Sequence, residues 1–68
     1  MSEKEMIQIY VSAGNELSTA ELYDRAVAQY GVDVKYDDHK HHIRTMQQHL
    51  KNKGILVNTR RGFWALVS

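Results

Sequence analysis

The fold is decided by residues 38–67, which read DHKHHIRTMQQHLKNKGILVNTRRGFWALV. Three apolar side chains in the first half of this stretch recur at helical spacing: Ile43, Met46 and Leu50. The spacing predicts a helix over residues 38–52. We expect Asp37 or Asp38 to cap its start, because a carboxylate accepts hydrogen bonds from the free N–H groups of a first turn. Gly54 follows the helix, and glycine is common where a helix ends in the left-handed conformation.

A β-hairpin over residues 55–67 is predicted to follow this helix. Two runs rich in β-branched and aromatic side chains flank the polar, glycine-containing turn 59–62, which carries two arginines. A two-stranded ribbon alone is only marginally stable in water. We therefore expect Ile55, Trp64 and Leu66 to pack against a helical core.

Two shorter helices are predicted ahead of this segment, over residues 3–13 and 19–30. Each begins with a Ser-x-x-Glu sequence, the spacing of a capping box, and each is followed by a glycine. Leu17 lies just before the second helix and is placed either as a hydrophobic staple or as a one-residue strand of the later sheet. The alternating residues 31–37 predict an extended connection.

The first helix carries apolar side chains over a wider arc than one buried face requires. Two interpretations are open. The helix could be packed between two neighbouring elements, or part of the arc could form the surface of a homodimer.

Composition limits the chain to one small domain and argues against catalysis. It has 68 residues with no cysteine and no proline, so it can form neither a disulfide nor a thiolate nucleophile. The sequence contains no Gly-x-Ser-x-Gly, no glycine-rich phosphate loop and no His-Glu-x-x-His motif. We expect no enzymatic activity and no cofactor.

The sequence shows no signal peptide and no apolar run long enough to span a membrane. We therefore expect a cytoplasmic protein with no membrane partner. The chain stops one residue after the last predicted strand, so a further domain after Ser68 is a further expectation.

The net charge of +1 conceals a division along the chain. Residues 1–34 carry two cations against six carboxylates, whereas residues 35–68 carry seven cations against two carboxylates and all four histidines. A domain divided in this way presents its basic half to a polyanion.

The third helix has a polar face opposite Ile43 and Leu50. Its cations, amides and hydroxyl project roughly 60° to 200° around the helix axis from Ile43. Together with the hairpin turn they form the predicted contact surface: Lys40, His41, Arg44, Thr45, Gln48, Lys51, Asn58, Thr59, Arg60 and Arg61.

The order of helix, short strand, helix, helix and hairpin resembles the winged helix-turn-helix superfamily. The resemblance is carried by ELSTAEL (16–22), by IRTMQQHLKNKGIL (43–56) and by RRGFWAL (60–66). The last segment is most similar to the N-terminal winged-helix domain of Mrr-type restriction endonucleases. The resemblance implies a small α+β fold, with a three-helix core and a two- or three-stranded wing. One departure is the connection between the second and third helices, which is longer than the turn of a simple helix-turn-helix.

Function follows from the resemblance and, separately, from residue chemistry. The resemblance implies that the third helix enters the major groove of double-stranded DNA and that the wing contacts the backbone or minor groove. Arg44 and Lys40 suit guanine or phosphate, Gln48 suits adenine, and Thr45 suits a thymine methyl group or a phosphate. Lys51 and the wing arginines suit phosphate. The protein would be a transcription regulator or the DNA-reading domain of a larger enzyme.

Two other functions stay open. The domain could be a protein-interaction module that uses the first helix or the acidic face of the second. It could also be a metal-linked sensor, because His39 and His42 are neighbours at i, i+3 on a helix. No third ligand follows from the spacing, so we predict no metal site.

Overall fold

The computed structural model describes residues 1–31 and 37–67. They form three helices and a three-stranded antiparallel sheet in the order of a winged helix, a small α+β fold. The elements are α1 (Glu3–Ala13), β1 (Leu17–Ser18), α2 (Thr19–Tyr30), α3 (Asp37–Asn52), β2 (Leu56–Arg60) and β3 (Phe63–Leu66). Helices α1 and α2 have the predicted bounds, and α3 begins one residue earlier than predicted. Residues 32–36 of the predicted connection and the side chains of Asp37 and Asp38 lie outside the described part.

Local signals in the sequence explain where the first two helices begin. The Ser2 hydroxyl accepts from the Glu5 N–H at 3.2 Å, and the Glu5 carboxylate accepts from the Ser2 N–H at 2.8 Å, which completes a capping box. The Ser18 hydroxyl likewise accepts from the Glu21 N–H at 3.1 Å and caps α2. Within the described residues Glu21 does not return the bond, so α2 has a simple cap instead of the full box that its spacing predicts.

The strand interpretation of Leu17 is correct. Leu17 pairs with Trp64 and Ser18 pairs with Phe63, which makes β3 the central strand in the order β1-β3-β2. Just after this pairing, the Thr19 N–H donates to the Gly62 carbonyl at 3.1 Å. The wing is therefore fastened to the start of α2.

The core lies between the three helices and the inner face of the sheet. Its buried residues come from every helix and from strands β1 and β2: Met6, Ile9, Tyr10, Leu17, Leu22, Ala26, Ile43, Leu50 and Leu56. Ile55, Trp64 and Leu66 are half-buried and pack against this cluster, as predicted. Helix α1 contacts α2, α3 and β3, so most of its wide apolar arc is covered by neighbouring elements. Val11 stays 53% exposed.

The wing turn is shorter than predicted. Strand β2 continues through Arg60, so the turn consists of Arg61 and Gly62 alone, and Gly62 has a φ of +78° that favours glycine. The Asn58 side chain explains the extension, because it donates to the carbonyls of Arg60 at 3.0 Å and Phe63 at 2.7 Å. These bonds span an irregularity in the pairing of β2 with β3 and hold Arg60 against the sheet.

Candidate nucleic-acid interface

The outer face of α3 is open along most of its length. His41, Arg44, Thr45, Gln48 and Lys51 are exposed there, while Ile43 and Leu50 on the opposite side are fully buried. Among the described residues, none forms an ion pair with Arg44. Its guanidinium is therefore available to a partner outside the chain.

Two lysines at the margins of this face lie over aromatic rings. The Lys40 Nζ is 6.0 Å from the centre of the Tyr23 ring, and the Lys51 Nζ is 5.7 Å from the centre of the Trp64 ring. Ring contacts of this length are weak at exposed sites and leave an ammonium free to bind an anion. The second contact also joins α3 to the wing.

Gln48 has a partner inside its own helix. Its amide nitrogen donates to the Asn52 side-chain oxygen at 3.3 Å. Both side chains are exposed, so the contact can exchange for an external partner at little cost in free energy.

The wing presents fewer free groups than the sequence predicts. Asn58 uses its amide within the hairpin, and Thr59 donates its hydroxyl to the Glu16 carboxylate. Arg60 forms an ion pair with the other oxygen of Glu16, with a nitrogen–oxygen distance of 3.0 Å. Arg61 is exposed at the turn and, within the described part of the chain, has no ion-pair partner.

Glu3 contacts two basic side chains at the end of α3. The Lys53 Nζ lies 2.8 Å from one oxygen of Glu3, and the His49 imidazole lies 3.4 Å from the other. The hydrogen bond from Lys53 lowers the pKa of Glu3 below its usual value, and the nearby charges of Lys53 and His49 act in the same direction. The basic half of the chain is therefore partly neutralised by the acidic half at this end.

These contacts make the surface of unpaired cations smaller than the sequence predicts. Four cations on α3 and the wing have no ion-pair partner within the described part of the chain: Lys40, Arg44, Lys51 and Arg61. Lys53 and Arg60 belong to internal pairs instead. Sequence position alone could not separate the two groups, because Glu3 and Glu16 lie far away along the chain.

Two of the four histidines contact different parts of the chain. The His42 Nε2 lies 3.2 Å from the Met1 carbonyl oxygen, and His49 faces Glu3. No group of three His, Cys, Asp or Glu side chains in residues 1–31 and 39–67 is arranged to hold a metal ion.

Sequence reasoning missed one residue that supports the interface from inside. Gln47 is buried on the inner side of α3, and its amide nitrogen donates to the Tyr10 hydroxyl at 3.1 Å. Burial raises the pKa of Tyr10. The position of Gln47, one residue after Met46 and four after Ile43, could have indicated burial.

Comparison with protein-family models, with curated proteins and with solved structures yields no match. The likeness to Mrr-type domains thus rests on the quoted residues. In the part of the chain that the structure describes, no helix has the length and apolar character needed to cross a membrane.

Proposed function

We propose that this protein binds double-stranded DNA, with α3 in the major groove and the wing turn against the phosphate backbone. The observation that carries the proposal is that Arg44 and Lys51 on the outer face of α3 and Arg61 at the wing turn have no ion-pair partner among the described residues. Lys53 and Arg60, in contrast, face carboxylates. Exposed cations without internal partners are the groups that release counterions when they bind phosphate.

Each element has a distinct task in this arrangement. Arg44 and Gln48 lie one turn apart on the exposed face and would read base edges, since arginine pairs with guanine and glutamine with adenine through two hydrogen bonds each. Thr45 and His41 would contact neighbouring bases or phosphates. Lys51 and Arg61 would fix the position of the domain through phosphates without reading sequence. The biological setting remains that of a regulator or of the DNA-reading part of a larger enzyme.

A salt titration tests the proposal. Fluorescence anisotropy of a labelled duplex at several NaCl concentrations should give an affinity that falls steeply as salt rises, with a slope of about 0.9 for each phosphate neutralised. Replacing Arg44 and Arg61 with alanine together should weaken binding at least about tenfold, because a direct arginine contact contributes roughly 1–3 kcal/mol.

The matched control removes two cations from another part of the surface. Lys4→Ala with Arg25→Ala changes the net charge by the same amount but alters α1 and α2, and binding should fall far less. Equal losses in the two double variants, or an affinity that does not respond to salt, would show that no specific surface binds DNA.

A second candidate function is protein interaction, favoured by a cleft at the end of α1. The cleft has a volume of about 260 Å³ and is lined by Tyr10, Val11, Gly14, Asn15, Ala65 and Leu66. Val11 on its rim and Val67 at the end of the described chain are each about half exposed. A partner chain, or a second copy in a homodimer through α1, would cover these valines. Chemical-shift mapping separates the functions, because DNA perturbs residues 40–62 and a protein partner perturbs the cleft.

A further inference from the structure

Glu16 forms an ion pair with Arg60 of the wing, which is part of the proposed DNA surface. It directly precedes β1, and its two oxygens have different partners. One oxygen lies 3.0 Å from a guanidinium nitrogen of Arg60 in an ion pair, and the other accepts a hydrogen bond from the Thr59 hydroxyl. Both partners lie on β2, so the Glu16 side chain reaches across the central strand β3 to hold them.

Arg60 is held in place by more than this ion pair. Its guanidinium carbon lies 3.8 Å from the centre of the Phe63 ring, a stacked arrangement, and its carbonyl accepts from Asn58. The pairing of Arg60 with Phe63 in the sheet fixes the backbone as well. Glu16 is therefore not needed to orient Arg60, and its main effect on the guanidinium is to neutralise it.

Exposure shows which partner an incoming anion would meet. The Arg60 side chain is 63% exposed, whereas the Glu16 side chain is 28% exposed. A phosphate can reach the guanidinium from solvent, but it would then lie near the carboxylate behind it. The two anions compete for the same N–H groups and repel each other.

We propose that the Glu16 carboxylate competes with DNA phosphate for Arg60. This competition weakens the binding of the wing to DNA backbone of any sequence. The inference rests on the proposed DNA binding and adds a specificity-determining residue to it. While Glu16 is paired with Arg60, fewer cations attract the DNA backbone independently of sequence. The base-reading face of α3 then contributes a larger share of the binding free energy. Neutralising Glu16 frees Arg60 for phosphate.

The test is Glu16→Gln, which keeps the shape and an acceptor for Thr59 but removes the charge. We expect about three- to tenfold tighter binding to duplexes of any sequence and a salt slope that is steeper by about one phosphate. The tightening should disappear when Glu16→Gln is made in an Arg60→Ala background. A Glu16→Gln protein that binds DNA with equal or lower affinity than the parent would overturn the proposal, since it would make Glu16 a positioning residue or irrelevant.

Glu3→Gln is the matched control. It also removes one negative charge and releases Lys53 and the His49 imidazole, which lie away from the wing at the end of α3. It should tighten binding less than about twofold through net charge alone. An equal effect of the two substitutions would reject a local competition at Arg60.

The two proposals can fail separately. If the parent chain binds no duplex at any salt concentration, DNA binding itself is wrong. If the parent binds through Arg44 and Arg61 but Glu16→Gln does not tighten binding, only the role of Glu16 is wrong. Circular dichroism of each variant verifies that the fold persists.

Discussion

Gln47 and Tyr10 join the proposed recognition helix to the first helix through a buried hydrogen bond, with the amide nitrogen 3.1 Å from the hydroxyl oxygen. Most of the surrounding core is apolar, so the bond is satisfied only when the two side chains meet. An apolar contact would tolerate a small rotation of α3, whereas this bond fixes which residues of α3 face outward. The outward position of Arg44, a residue of the proposed interface, therefore depends on a contact on the opposite side of its helix.

Tyr10→Phe should reduce the free energy of unfolding by about 1–3 kcal/mol, because it leaves the buried Gln47 amide without an acceptor. Adding Gln47→Leu to Tyr10→Phe should recover part of the loss, since an apolar pair needs no hydrogen bond. Urea denaturation measures both effects. Tyr30→Phe, at a half-buried position at the end of α2, is the control and should change stability by less than about 0.5 kcal/mol.

The contrast between Ser18 and Gln47 shows how much the sequence could predict. The cap at Ser18 and the glycine after each of α1 and α2 are local signals, readable within a few residues, and they predicted the helix bounds closely. The partner of Gln47 lies 37 residues away, and the partners of Glu16 lie more than 40 residues away. Such contacts depend on how the elements pack. The exposed face of α3 was therefore predictable from the sequence, but the ion pair that neutralises Arg60 was not.

Ser18→Ala should destabilise the fold by about 1 kcal/mol, because the Glu21 N–H loses its acceptor at the start of α2. The effect should appear as a lower urea midpoint with an unchanged m-value. Ser12→Ala is the comparison. Ser12 lies inside α1 and donates to the Ile9 carbonyl, where alanine has the higher helix propensity, so its loss should cost much less.

Acid should weaken the fold partly through Glu3. The pKa of Glu3 is lower in the folded protein than its usual value, chiefly because Lys53 donates a hydrogen bond to it. A lowered folded pKa gives stability that is complete above the unfolded pKa and is lost as the pH falls through the folded value. Glu3→Gln should therefore lose less stability than the parent below about pH 5.

Thermal unfolding at pH 7 and at lower pH values measures this difference. The pair is exposed, so raising NaCl to about 1 M should narrow the gap between the two proteins by screening the charges. A gap that does not change with salt would assign the effect to a cause other than the ion pair.

Lys51 and Arg44 should affect DNA binding in different ways, although both are cations on α3. Lys51→Gln removes the proposed phosphate contact, so affinity should fall by a similar factor for every duplex and the salt slope should decrease by about one.

Arg44→Lys keeps the charge but removes the planar group that would pair with guanine through two hydrogen bonds. Its salt slope should stay near that of the parent, while discrimination between a preferred duplex and its single-base variants should shrink by about 1–3 kcal/mol at one position. Anisotropy titrations on a selected duplex and on scrambled sequences measure both quantities. Equal losses of affinity for all sequences in Arg44→Lys would place Arg44 on the backbone and leave base reading to Gln48 and its neighbours.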